Sequence, residues 1–463
     1  MHPNAVRDLF PRSRKTLAGV AVTLFTVLLA FSLLKWCSGP ATAQAAARVS
    51  YPRELSRITF AAAGDVIPHQ AVAQSAAAQS LAAAPAPPAT TGNDAGWDVL
   101  FAAVADVFRQ ADFGFVNLET PVAPKHSRGS KPFQFDAPIA LLQALKFSGI
   151  KIVSFANNHV FDQGHIGFAE SLDHLREQDL LFTGAGATAE AAWKPVVLEK
   201  NGIKVGWLGM TRWLNGSHNP EKDGDPHVAF FPYPGEANGA PGLTEAQVLE
   251  AVKAARAQCD FLLISIHWGV EYATAPRNDD VEMAHKMLEA GAGAVLGHHP
   301  HVLQPIETYL TQDQRHTVIF YSLGNFLSNQ SRNYVQGLTP EKAGEQRDSL
   351  IVRFSVIKKD YGPAGIRVEL GDMGILPVWT ENNHLLARAG HDKTLLIRPV
   401  LMDREIPRLQ ARFDELDHLG SQLTAAQKQE LVEVSRQLQL LKRRRELLLA
   451  RTGDDYLVAP PNP

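Results

Sequence analysis

The chain has 463 residues, with 45 basic against 48 acidic side chains and a formal net charge of −3, so it lacks the basic excess of a nucleic-acid binder. Ordinary globular composition at this length supports a sizeable core, in one large α/β domain with appendages or in two or three domains. Two cysteines, Cys37 and Cys259, exclude a disulfide framework and a cysteine-type zinc site, whereas several of the 17 histidines fall in tight clusters.

Taken in chain order, Arg7, Arg12, Arg14 and Lys15 precede an uncharged apolar run over 16–34, and Ala41-Thr42-Ala43 then reads as a cleavage site. The run is long for a signal-peptide core and just long enough to span a bilayer. Residues 1–48 are therefore a removed signal peptide or a retained membrane anchor through residues 16–34. Both carry the rest of the chain across the membrane, because the basic cluster stays inside.

Residues 49–400 alternate apolar strand-like runs with amphipathic helical patterns, the signature of α/β architecture. Strands are predicted over 58–63, 113–117, 151–155, 261–266, 292–296 and 317–321, and helices over 99–109, 138–147, 166–178 and 244–257. The last helix opens with a capping box from Thr244 to Gln247. Asn201-Gly202 between two apolar runs predicts a hairpin, and 350–357 with 366–370 alternate like antiparallel strands. The stretch 71–96, rich in Ala, Pro, Ser and Gln, reads as a flexible insertion or as a helix followed by a loop. The polar connection 216–242 reads as a lid or as a disordered loop.

From residue 401 to 463 the pattern becomes helical. Leu409, Phe413, Leu416 and Leu419 mark one helix. A second capping box at Thr424 opens another, with Leu431, Val434, Leu438, Leu441 and Leu448 on one face. This hairpin either covers its own domain or docks a partner. The basic run 442–445 is a solvated face or a contact for anionic lipid.

Polar residues recur just after the predicted strands, where open α/β sheets place ligands. They are Asp65, Glu119, the run Asn157-Asn158-His159, His267, the group His298, His299 and His301, and Asn325. Such groups are costly to bury unless something satisfies them. A divalent metal centre does so, and mixed imidazole and oxygen donors suit Zn, Fe or Mn. Two such ions make a nucleophile of bound water and stabilise displacement at a phosphate ester. A histidine outside the ligand set then protonates the leaving oxygen. Plainer roles stay open: Asp65 as a turn cap, His159 as the partner of Asp162, Gly324 and Asn325 as a tight turn, Trp268 as core, and His69 as either core or site. Glu271 and Tyr272 are expected to shape the pocket.

The segments FAAAGDVIPH, FGFVNLETP, SFANNHVFDQG, ISIHWGVEY, VLGHHPHVLQ and IFYSLGNF resemble, in order, the motif series of the CapA family. The likeness runs from about residue 58 to 330 and extends to about 380. It implies a four-layer α/β/β/α sandwich like that of calcineurin-like metallophosphoesterases, followed here by the helical extension. It also implies a link to capsule or poly-γ-glutamate biosynthesis, with an exopolymer or phosphate ester as substrate. By resemblance, Asp65 is the first metal carboxylate and Glu119 stands at the bridging position. Asn158 is a metal ligand and His159 the general acid, while His267, His299 and His301 are metal ligands, with His298 as the alternative to His299. Asn157, Asp162, His298, Glu271 and Asn325 flank the ions as binding residues. Two departures from the wider superfamily stand out: Ile67 occupies the position of its first-motif histidine, and Glu119 replaces an aspartate. The readings that follow are a metal-dependent envelope hydrolase, a membrane-anchored auxiliary subunit contacting other capsule-synthesis subunits through the C-terminal helices, and a plain periplasmic metal-binding protein.

Overall fold

The computed structural model describes residues 50–82, 96–129, 131–222, 224–236, 242–390 and 394–461. The segment read as signal peptide or anchor lies outside these, as do residues 83–95 of the alanine- and proline-rich stretch. Among the described residues, no helix is long and apolar enough to cross a membrane.

The fold is α/β, built on two main sheets whose strands are numbered in chain order. The first runs β16 (Ile397–Leu401), β15 (Ile366–Asn382), β14 (Asp348–Asp360), β1 (Arg53–Val66), β2 (Phe113–Leu118), β3 (Ile150–Ser154) and β4 (Leu181–Thr183). A short β13 (Asn325–Leu327) pairs with the end of β1. The second runs β11 (Ile306–Leu310), β12 (His316–Phe320), β10 (Ala294–His298), β9 (Phe261–His267), β7 (Ile203–Thr211) and β6 (Val196–Lys200). Apart from both, β5 (Ala185–Gly186) pairs with β8 (His227–Val228). Strands β1 to β4 are parallel, as are β7, β9, β10 and β12. Thus each sheet sends several strand ends the same way.

Side chains alternate along β1 with the strand period of two. Phe60 and Ala62 enter a core shared by both sheets, and Ala61 and Ala63 enter one shared with helices. In the shared core Phe60 stacks on Phe354 at 4.8 Å and Phe115 on Trp207 at 4.9 Å. The helices Gln70–Ala82, Ile139–Phe147 and Gly164–Glu177 pack on the first sheet, and Glu245–Arg256 and Asn278–Glu289 on the second.

Local signals behave as their chemistry dictates. Asn201 and Gly202 both take left-handed backbone, φ 54° and 69°, and join β6 to β7 antiparallel. Both capping boxes form. The helix expected over 99–109 is instead two pieces, Gly96–Phe101 and Ala105–Arg109. Between them Ala102 and Val104 donate to the carbonyls three residues back, tightening the turn. The connection 216–242 is neither free lid nor loose loop over its described part, since Phe230, Phe231 and Tyr233 are buried. The C-terminal helices Met402–Leu419 and Ala425–Thr452 lay Leu409, Leu416, Val434, Leu438, Leu441 and Leu448 into the same core as β14 to β16. Their apolar stripe is thereby covered by their own chain, which leaves the polar face outward.

Candidate metal centre

Strand register brings the candidate residues together. Asp65 lies opposite Asn117 of β2 and Asn325 of β13, and His267 lies opposite His298. The approach of β1 to β13 demands glycine: a Cβ on Gly64 would sit 1.8 Å from the Gly324 carbonyl oxygen. Gly324 itself has φ 69° and accepts from the Asp65 N–H at 2.9 Å. The tight turn therefore belongs to Gly324, while Asn325 is already in a strand.

Asp65, Glu119, Asn158, His159, His267, His298, His299 and His301 are all buried. Glu119 Oε1 lies 3.8 Å from Nε2 of His267, 3.8 Å from that of His301 and 3.9 Å from that of His159. Each gap is too long for a hydrogen bond. Asp65 faces Nδ1 of His298 at 3.2 Å and of His301 at 3.3 Å. Asn158 Oδ1 meets His267 Nε2 at 2.8 Å. His299 and His301 carry positive φ, 97° and 59°, a conformation costly for these residue types that turns both rings inward around Pro300.

Four buried polar atoms here lack a hydrogen-bond partner, Asn117 Oδ1, Glu119 Oε1, His298 Nε2 and His299 Nδ1, and His298 Nδ1 has only the misaligned Asp65 carboxylate. Each such atom costs about 1–3 kcal/mol if left unsatisfied. A cation among them removes that penalty, and two triads have donor atoms within 4.8 Å of one another, Asp65–Glu119–His267 and Glu119–His299–His301. The electrostatics agree. Burial raises Asp65, but His298 and His301 outweigh it and hold its carboxyl well below the usual range. Burial, and then the Asp65 charge, push Glu119 well above it. Burial and the neighbouring His299 hold His267 far down, and burial with His301 pushes His299 down to about 3. Both imidazoles are thus neutral, the state a metal requires, and His299 Nδ1 has no hydrogen-bond partner. The donor set fits divalent ions.

The other sequence candidates sort by their contacts. His159 Nδ1 bonds Asp162 at 2.8 Å and its ring rests 4.3 Å from Phe135, with Nε2 directed at Glu119. Asn157 departs from its expected place among ligand-binding groups. Its amide donates to Leu118 O and accepts from the His159 N–H, so both ends serve the backbone. Asn325 meets His301 Nδ1 at 3.1 Å and donates to Gln346 O at 3.0 Å, orienting that ring. Glu271 is exposed and acts on Glu119 through charge alone. His69 is half-buried against Phe135, its Nδ1 lies between Ile67 O and the Asn329 N–H, and burial pushes it down to about 4. Trp268 is fully buried core.

Sequence reasoning missed Asn117. Its Nδ2 donates to Asp65 Oδ1 at 2.8 Å and lies 3.4 Å from Glu119 Oε2 and from His267 Nδ1. The available signal was its position at the end of β2, two residues before Glu119. Asn117→Ala is expected to weaken metal binding about 10–100-fold, as loss of a ligand-orienting partner does. Competition with a chelating dye measures it, and unaltered affinity refutes the role.

A family model described as "Bacterial capsule synthesis protein PGA_cap" matches residues 59–330, a span holding every candidate site residue. The "PGA biosynthesis protein CapA" of Bacillus subtilis (strain 168) is 32% identical over 270 residues, 58% of this chain and 63% of that protein. The "Capsule biosynthesis protein CapA" of Bacillus anthracis is 29% identical over 277 residues, 59% of this chain and 61% of that one. A "Probable polyglutamine synthesis accessory protein" of Mycobacterium tuberculosis is 29% identical over 231 residues, 47% and 56% respectively. The matched region thus spans less than two thirds of each relative.

Proposed function

Because the chain belongs to the bacterial capsule synthesis protein PGA_cap family, we propose that it serves capsule or poly-γ-glutamate-type biosynthesis in the cell envelope as a metal-dependent hydrolase. The substrate in this reading is a phosphate ester or a related linkage of the exopolymer. The observation that carries it is the set of unsatisfied donor atoms sealed around Asp65 and Glu119. Asp65, Glu119, Asn158, His267, His299 and His301 would hold two divalent ions of Mn, Fe or Zn. Such ions supply Lewis acidity and a water made nucleophilic near neutral pH.

The chain's own residues supply the rest. Asp162 fixes the His159 ring through Nδ1, so a proton carried on Nε2 faces the space above Glu119 and can pass to a leaving oxygen. Phe135 covers one side of that ring and keeps water from it. Two sheets with helices packed against them are compatible with the four-layer sandwich that the resemblance implies. Residues 1–48 act as export signal or anchor, and residues 401–463 as a helical extension.

The test is direct. Manganese returned to the chelator-stripped chain is expected to restore hydrolysis of p-nitrophenyl phosphate. It should also add about 2.7 kcal/mol of stability at a hundredfold excess over Kd. A purified chain that takes up no transition metal sinks the reading. A second reading, a non-catalytic accessory subunit, draws on the name of the mycobacterial relative and on Ile67 at the usual histidine position. Metal uptake without any turnover favours it.

A further inference from the structure

Beyond the metal centre, a charged cavity of about 400 Å³ lies between the segment 332–347, the end of β15 and the last helix, Ala425–Thr452. Arg332, Arg347 and Arg436 line it, against one carboxylate, Glu381. That carboxylate is engaged by Arg398 at 2.8 Å, and Arg436 is matched by Glu433 at 2.6 Å. Arg332 and Arg347 remain, with no ion-pair partner among the described residues.

Arg347 is the unusual member. It is only 5% exposed, rests 4.1 Å over the Trp379 ring, and donates Nε to the Thr380 carbonyl at 2.7 Å. Its Nη atoms have no acceptor among the described residues, yet they are not sealed from the cavity. Burial pushes the group down to about 9, and it stays charged at neutral pH. A buried guanidinium on an aromatic plate, with the outer edge of its donor fork free, matches a carboxylate or phosphate.

We propose that this cavity is a second binding site, one that takes an anionic carboxylate or phosphate group on the Nη edge of Arg347, with Arg332 at its mouth. A short chain path links it to the metal centre: the preceding residue, Gln346, accepts through its carbonyl from the Asn325 amide that orients His301. The anion is either a free small molecule or a charged stretch of a polymer reaching the metals. The site does not depend on hydrolysis taking place.

Calorimetry with the full chain tests this, using glutarate, inorganic phosphate and a short γ-linked glutamate oligomer as probes. Glutarate or phosphate is expected to bind with Kd near or below about 1 mM. Arg347→Met should weaken this about tenfold or more, and Arg332→Ala, an exposed change that leaves the core intact, severalfold. In the chelator-stripped chain, where phosphate meets no metal, small-anion binding should be the same in His267→Ala as in the parent. An oligomer that binds more tightly than glutarate and weakens in His267→Ala identifies a polymer as the source. An oligomer that matches glutarate in both proteins identifies a free anion. The proposal fails if neither small anion binds, or if Arg332→Ala binds like the parent chain. Since the readout needs neither metal nor turnover, it stands or falls separately from the hydrolase reading.

Discussion

Replacing His159 by alanine is expected to slow phosphate-ester turnover by about 10²–10⁴-fold while leaving bound metal in place. The ring belongs to neither donor triad. Its Nδ1 is occupied by Asp162 at 2.8 Å, and Asp162 in turn accepts from the Phe135 N–H at 2.6 Å. That relay leaves Nε2 as the working atom, 3.9 Å from Glu119 Oε1 and at the edge of the cation space. Asp162→Asn removes only the charge behind the ring and should produce a smaller loss in the same direction. Steady-state kinetics beside metal analysis separates the outcomes. Unchanged kcat excludes His159 as proton donor, and parallel loss of metal would make it a ligand instead.

Arg444→Met is expected to destabilise the fold by about 3–5 kcal/mol, because it strands a buried carboxylate. Arg444 sits on the last helix with its side chain fully buried. Its Nε donates to Asp348 Oδ1 at 3.0 Å, Nη2 to the other carboxylate oxygen, and Nη1 to Glu341 O at 2.9 Å. Burial pushes Asp348 up to about 6 even against the pull of Arg444. Without the arginine, the carboxyl of the folded state lies higher still. A carboxyl raised on folding loses stability as pH climbs from its unfolded value through its folded one. The deficit of Arg444→Met should therefore be smallest near pH 4 and grow toward pH 8. Adding Asp348→Asn should recover much of it. Urea melts at several pH values read this out, and a deficit independent of pH would refute the stranded-charge account.

Much of this molecule was legible in one dimension. The six strands expected from apolar runs all form, because buried parallel strands need continuous Val, Ile, Leu and Phe. The Thr244 and Thr424 caps and the Asn201-Gly202 hairpin also form, since each is decided by a few neighbouring residues. The residues proposed for the metal centre converge because they share one address, the carboxyl end of a parallel strand. What escaped was settled by long-range contacts. Asn117 enters the centre only because β1 and β2 align it with Asp65.

Local conformational preference and periodic hydrophobicity fixed the strands, most helices, the caps and the set of donors at the strand ends. Long-range packing settled other things: that Asn157 serves the backbone, that Asn325 orients His301, and that the C-terminal helices cover the shared core. It also decided that Arg347 lies buried with its Nε on the Thr380 carbonyl rather than on a carboxylate. Those outcomes follow from which distant segments pack side by side, and a polar atom is satisfied or left wanting only once its neighbours have arrived.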